Sequence, residues 1–276
     1  MKCFWLITNP ASGSARELSA DALAALLGQQ GASEAGRTAF PAEALPTADA
    51  LIAAEVDTVV LFAGDGTINT TLCALAGWEG GFLILPGGTM NLLAKVLHGD
   101  ATPDAIVAAA AAASRRVALP VADAGERRAF VGIILGPAAY WGRARELTRQ
   151  NALSRLLRAV RFAWARTFGR GVRIAGAPAL RARYQAVFVR PAPNELAVTG
   201  IDARDLRSIV ELGWTWLTGE WLDARAVTHC RSTRLQLNDA KPVPALFDGE
   251  AVVLAPGTVI VPAMTAPLFL ATKGAA

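Results

Sequence analysis

Four short apolar runs, set between helix-compatible stretches, constrain the first 114 residues of this 276-residue chain more than any other feature. They are CFWLIT (3–8), a weaker run near 34–39, DTVVLF (57–62) and GFLILP (81–86). Between the first two, ARELSADALAALLGQQG (15–31) places Leu18, Leu23, Leu26 and Leu27 on or near one helical face, with Gly31 suited to end the helix. Residues near 42–54, TINTTLCALAG (67–77) and TMNLLAKVLHG (89–99) also read as helices. Strands alternating with helices through short connections predict a parallel, doubly wound sheet of Rossmann-like α/β type.

The pattern changes after Arg115 and Arg116. RRVALPVADA, RAFVGIILG, RYQAVFVRP, ELAVTGI, STRLQLND and AVVLAPGTVIVPA read as strands separated by turn residues, the mark of a mostly β domain. One helical insertion is expected near 142–170. The reading therefore places an α/β domain at 1–118 and a β-rich domain at 119–276. Charge divides the same way: residues 1–114 hold 4 Lys/Arg against 11 Asp/Glu, and the remainder holds 23 against 12. The second part is thus expected to meet something anionic.

Several classes are disfavoured. No run reaches the roughly 18–20 apolar residues of a membrane-spanning helix. The apolar start is too short for a signal peptide, which makes the cytoplasm the default location. Cys3, Cys73 and Cys230 match no metal or disulfide spacing, and His98 and His229 are too few for a histidine-rich metal site.

Chemistry concentrates at three strand ends: TNPASGSA (8–15), GDGT (64–67) and PGGTMN (86–91). Small residues there let backbone N–H groups approach an anion, and each loop leads into a helix N-terminus. Thr67 and Thr89 also read as N-caps. Asp65 would repel phosphate unless a cation intervenes, and Mg2+ held by one carboxylate, phosphate oxygens and water fits that need. Neither G-x-x-x-x-G-K-[ST] nor G-x-G-x-x-G occurs in the chain.

NPASG, GDGT, LPGGTMN and FDGE (247–250), in this order, resemble the diacylglycerol-kinase catalytic-domain family of bacterial lipid kinases and sphingosine and ceramide kinases. That resemblance implies a Rossmann-like domain, a β-sandwich-like domain, and ATP and lipid bound in the cleft between them. It places Asn9, Ser12, Gly64, Asp65, Gly66, Thr67, Asn69, Gly88 and Thr89 on ATP, with Thr38 as a looser match. Glu250 would be the general base with Asp248 beside it, and Asp65 the alternative base as well as the contact to catalytic Mg2+. The counterpart of the family's acidic-glycine motif for a structural Mg2+ is IDARDL, with Asp202 or Asp205, which lacks the glycine. Two further departures are Ala63 for glycine and Leu92 for an acid. They leave a lipid- or nucleotide-binding protein with weakened catalysis as one alternative; an NAD kinase-like enzyme is another.

Residues 143–173 carry nine arginines and one acid, Glu146. At helical spacing Leu153, Leu156, Leu157, Val160, Trp164 and Phe168 fall on one side, and Arg155, Arg158 and Arg166 fall opposite. Such a helix suits an anionic lipid surface or packs on its own domain. Nucleic acid is not expected, because no aromatic stacking array accompanies the arginines. Trp214, Trp216 and Trp221 could wall an acyl pocket or belong to a core. The expectation is a cytoplasmic enzyme held peripherally on the inner face of the membrane, and a homo-oligomer is compatible with it.

Overall fold

The computed structural model describes residues 1–12, 18–113, 115–139, 171–201 and 227–273. Arg155, Arg158, Trp164 and Arg166 of the basic segment, the metal candidates Asp202 and Asp205, and Trp214, Trp216 and Trp221 lie outside these described residues. The chain divides into two compact units, Met1–Leu119 with Met264–Ala276, and Pro120–Ala263.

In the first unit β1 (Cys3–Thr8) runs parallel to β2 (Ser33–Ala39) on one side and to β3 (Thr58–Ala63) on the other. β4 (Gly81–Pro86) continues in parallel from β3. All six residues of β3 are buried, and the β-branched and apolar run TVVLFA suits a strand covered on both faces. The order β2-β1-β3-β4 makes the gap between β1 and β3 the point where the winding reverses. Ligands of open α/β sheets bind beyond the carboxyl ends of strands at such a point.

Helices α1 (Ala20–Gln29), α2 (Ala48–Ala53), α3 (Asp65–Ala74), α4 (Leu92–His98) and α5 (Pro103–Ala113) join the strands. α1 starts later than expected because Ser19 caps it, its Oγ accepting from Ala22 N at 3.1 Å. α4 starts at Leu92, three residues later than expected, because Asn91 is its N-cap in the left-handed region (φ 52°).

The second domain does not run on to residue 276. The last strand, Leu268–Ala271, lies beside β4 in parallel and beside β5 (Arg115–Val117) antiparallel. Its Phe269 stacks on Phe82 of β4 with ring centroids 5.5 Å apart, and Trp78 meets the same ring edge-on at 5.3 Å. Burial of this aromatic cluster is what draws the C-terminus back.

His98, the last residue of α4, is buried, and its Nδ1 lies 2.9 Å from Thr272 Oγ1. Burial pushes its imidazole down to about 4 from the ordinary 6.5. The folded chain therefore keeps His98 neutral where the unfolded chain already binds a proton. Stability is complete above pH 6.5 and falls as pH drops toward 4. Between pH 7.5 and 4.5 the loss from this one group is expected to be about 2 kcal/mol. Urea unfolding at both pH values should show a smaller decline in His98→Gln than in the native chain. Equal declines would remove His98 as the cause.

The second unit contains β6 (Pro120–Asp123), β7 (Arg128–Ala129), β8 (Ile133–Leu135), β9 (Ile174–Ala175), β10 (Ala186–Ala192), β11 (Glu195–Ile201), β12 (Val227–Ser232), β13 (Leu235–Leu237), β14 (Val243–Phe247), β15 (Glu250–Leu254) and β16 (Val259–Met264). With Leu268–Ala271 as β17, these complete the strands of the described residues. Six form one sheet in the order β12-β11-β10-β8-β14-β15 and five form another, β7-β6-β16-β13-β9. Both sheets feed one buried cluster, in which Leu135, Val187, Val189, Val198 and Phe247 meet Ala122, Ile174, Leu235 and Ile260. Two sheets sharing one core make the mostly β, sandwich-like arrangement expected here.

Candidate functional site

The three glycine-rich loops follow β1, β3 and β4, neighbouring strands around the winding reversal. Side-chain-to-backbone and side-chain hydrogen bonds fasten them together. From the first loop Asn9 Nδ2 donates to Thr67 Oγ1 at 2.8 Å, while Ser12 Oγ accepts from Gly64 N at 3.1 Å. Asn9 Oδ1 also accepts from Ala11 N at 2.9 Å, folding its own loop tightly. From the second loop Asp65 reaches the third: Oδ2 accepts from Asn91 N at 3.0 Å and Oδ1 from Leu92 N at 2.7 Å.

Asp65 thus holds the N-terminus of α4, where backbone N–H groups and the helix dipole favour a carboxylate. This anchoring role adds to the expected contact with a cation. It also bears on Leu92, which stands where the resemblance implies an acid: the backbone N–H of that residue, rather than its side chain, carries the link to Asp65.

The glycines are required by close approach of two backbones. A Cβ on Gly87 would lie 2.6 Å from Ala63 N, and one on Gly88 would lie 2.6 Å from Gly64 Cα. Ala63 itself is the buried, extended end of β3, paired with Pro86, so its methyl is accommodated without strain. Asn91 completes the third loop, with Oδ1 accepting from Gly88 N at 2.7 Å and Nδ2 donating to Gly88 O at 3.0 Å. Its left-handed backbone is one that asparagine tolerates better than most residues. Asn91 was not among the expected site residues; an asparagine after Gly-Gly-Thr-Met was the available signal.

Neither threonine caps a helix as expected. Gly64 is the N-cap of α3 and makes no side-chain cap, leaving Thr67 in the first turn with its hydroxyl engaged by Asn9. Thr89 stands exposed on the turn before α4. Asn69 is buried one turn into α3, where its Oδ1 accepts a weak bond from Cys73 Sγ at 3.7 Å, and Gly66 is half-buried beside Asp65. Thr38, next to last in β2, is buried, its Oγ1 accepting from Trp5 Nε1 at 3.0 Å.

FDGE forms a hairpin turn in the second unit. Phe247 and Glu250 pair across it, and both central residues have positive φ, 48° at Asp248 and 92° at Gly249. Asp-Gly supplies the type I′ geometry that matches strand twist. Glu250 is exposed at the start of β15. Asp248, in contrast, is 6% exposed, and its carboxylate accepts from the backbone N–H groups of Phe130 at 2.8 Å and of Val131 and Gly132 at 2.9 Å. The expectation set Asp248 beside Glu250 among the catalytic residues; the structure buries its carboxylate against these three backbone N–H groups.

Among the described residues no group of three or more His, Cys, Asp or Glu side chains gathers as a metal cage, and no helix is long and apolar enough to cross a membrane. A cation carried by nucleotide phosphates requires no such cage.

Residues 3–122 match the model of the diacylglycerol kinase catalytic domain. Comparison with curated proteins gave no match. Among solved structures, a diacylglycerol kinase from Bacillus anthracis is similar at 14% identity and a TM-score of 0.62, covering 100% of this chain and 98% of its own. A second Bacillus anthracis protein, provisionally assigned as a diacylglycerol kinase, aligns at 15% identity and a TM-score of 0.68, covering 100% and 99%. These likenesses show the fold across both units, while the sequence match spans all three loops of the first. Residues 3–122 thus resemble the diacylglycerol kinase catalytic domain in sequence, and the whole chain resembles such proteins in fold.

Proposed function

We propose that this protein is an ATP- and Mg2+-dependent lipid kinase that transfers the γ-phosphate to a hydroxyl of diacylglycerol or a related lipid. One observation carries the reading: the loops after β1, β3 and β4 are fastened into a single cradle at the winding reversal of a domain that resembles the diacylglycerol kinase catalytic domain. Gly64, Gly87 and Gly88 keep its backbone bare of Cβ atoms, and no side chain caps α3 at Gly64. A phosphate chain suits that cradle, because backbone N–H groups and a helix N-terminus favour anions.

Asn9, Ser12, Gly64, Gly66, Thr67, Gly88 and Thr89 would bind the nucleotide, with Asn69 supporting from within α3. Mg2+, when bound with ATP, neutralises charge on the transferring phosphate. Asp65 would meet it through water while holding the second and third loops in register. In the transfer the lipid hydroxyl oxygen forms a bond to the γ-phosphorus as the bond to the bridging oxygen of ADP breaks. Glu250 takes the hydroxyl proton. Such chemistry asks the protein for alignment and charge placement more than for covalent work.

A water-insoluble acceptor also gives a reason for the basic character of residues 115–276. We place the enzyme at an anionic membrane surface on the cytoplasmic side, reached through the arginine-rich segment that includes Arg155, Arg158 and Arg166 and the apolar Trp164.

The test is transfer of labelled phosphate from ATP in mixed micelles offering diacylglycerol, sphingosine, ceramide or NAD separately. A labelled lipid is expected, and its identity names the acceptor. Labelled NAD alone, or no product beside measurable ATP binding, would overturn the lipid-kinase reading.

A further inference from the structure

We infer that Asp248 is a positioning residue that sets the place of Glu250 and exchanges no proton itself; this rests on the reading of Glu250 as the base. The turn Asp248–Gly249 joins β14 to β15, an outermost strand of its sheet among the described residues. A hairpin at the end of an edge strand is held by few neighbours and opens readily. Here it is tied down by four bonds. The Asp248 carboxylate accepts from Phe130, Val131 and Gly132, and Asp248 N donates to Gly132 O at 3.0 Å. Those three residues lead directly into β8, which pairs with β14 through Ile133 and Phe247. The clamp therefore ties the turn to the strand that already supports it, two residues from the Glu250 carboxylate.

The choice of aspartate fits a clamp better than it fits a turn alone. Asparagine serves a type I′ turn equally well. Its side chain, however, offers one carbonyl oxygen, and its NH2 group would face the N–H of Phe130. Only a carboxylate accepts from both sides, with Oδ1 taking two amides and Oδ2 the third. A buried charge is tolerated where such charge-assisted bonds satisfy it. The Asp248 carboxylate is buried against three backbone amides, whereas Glu250 is exposed.

Two variants of the full chain separate turn from clamp. Asp248→Gly keeps the left-handed turn and removes every clamp bond of the side chain; Asp248→Asn keeps the turn and part of the clamp. With diacylglycerol in mixed micelles, at a temperature where circular dichroism matches the native chain, Asp248→Gly should lower kcat about 10–100-fold. Asp248→Asn should fall between it and the native enzyme. KM for ATP should stay within about twofold in both, since the clamp belongs to the second unit and the nucleotide loops to the first. The deciding readout is the double variant: in a Glu250→Gln background, Asp248→Gly should lower kcat by less than about threefold, because residues acting as a unit are not additive. An equal loss in both backgrounds would show that Asp248 acts on its own and would overturn the inference. So would a kcat for Asp248→Gly within twofold of native, or, if that variant does not fold, an undiminished kcat for Asp248→Asn. If Glu250→Gln alone has no effect, the base assignment fails first, a result distinct from any of these.

Discussion

Glu250→Gln is expected to lower kcat for lipid phosphorylation by about 10²–10⁴-fold, the usual range for loss of a positioned base. Glutamine keeps the length and most of the hydrogen bonding of glutamate but takes no proton at neutral pH. The hydroxyl proton would then have to leave to water, and the attacking oxygen would lose its orientation. Because Glu250 begins β15, after a turn held by its own clamp, the substitution should leave the hairpin intact. Affinity for ATP, measured by titration with a fluorescent analogue, should not change, since the nucleotide loops belong to the first unit. Pre-steady-state mixing would place the defect in the chemical step. A kcat within threefold of native would pass the base role to Asp65, whose carboxylate is the other acid of the family motifs.

The parts legible in the sequence are those fixed by neighbours along the chain. The buried run TVVLFA followed by Gly64-Asp65-Gly66 announces a strand and then a helix within one window, and both occur, with Asp65 and Gly66 already in the first turn of α3. The anchoring role of Asp65 was hidden, because it depends on the left-handed backbone of Asn91, 26 residues onward. Asp248 was harder still: its partners lie more than 115 residues away. Helix starts were misjudged for a related reason. Thr67 and Thr89 have the chemistry of caps, but one hydroxyl is taken by Asn9 and the other precedes a turn that Asn91 ends. The returning strand Leu268–Ala271 is four residues long, too short to show a period, and only the aromatic stack with Phe82 explains its place.

Gly88→Ala should separate packing of the cradle from its chemistry. The added methyl would lie 2.6 Å from Gly64 Cα, and carbon atoms settle at about 3.5–4.0 Å, so the second and third loops must move apart. That movement puts at risk the bonds from Gly88 N to Asn91 and from Gly64 N to Ser12, each worth about 1 kcal/mol. Loss of one or both corresponds to about 5-fold to 30-fold weaker ATP binding. Two other glycines supply the contrast. At Gly64 a Cβ would meet Ser12 Oγ at 3.3 Å and Gly88 Cα at 3.8 Å, and φ is an ordinary −77°, so Gly64→Ala should weaken binding less. At Gly77 a Cβ meets nothing within 4 Å, and Gly77→Ala should leave affinity unchanged. Calorimetric titration of ATP into the three variants checks the ranking. If Gly88→Ala binds ATP as the native chain does, the backbone contact between the loops is not what shapes the phosphate site. The cradle would then have to be sought in the hydroxyls of Ser12, Thr67 and Thr89 instead. A loss confined to Gly88→Ala would show that the glycine is needed for the approach of two backbones rather than for turn flexibility.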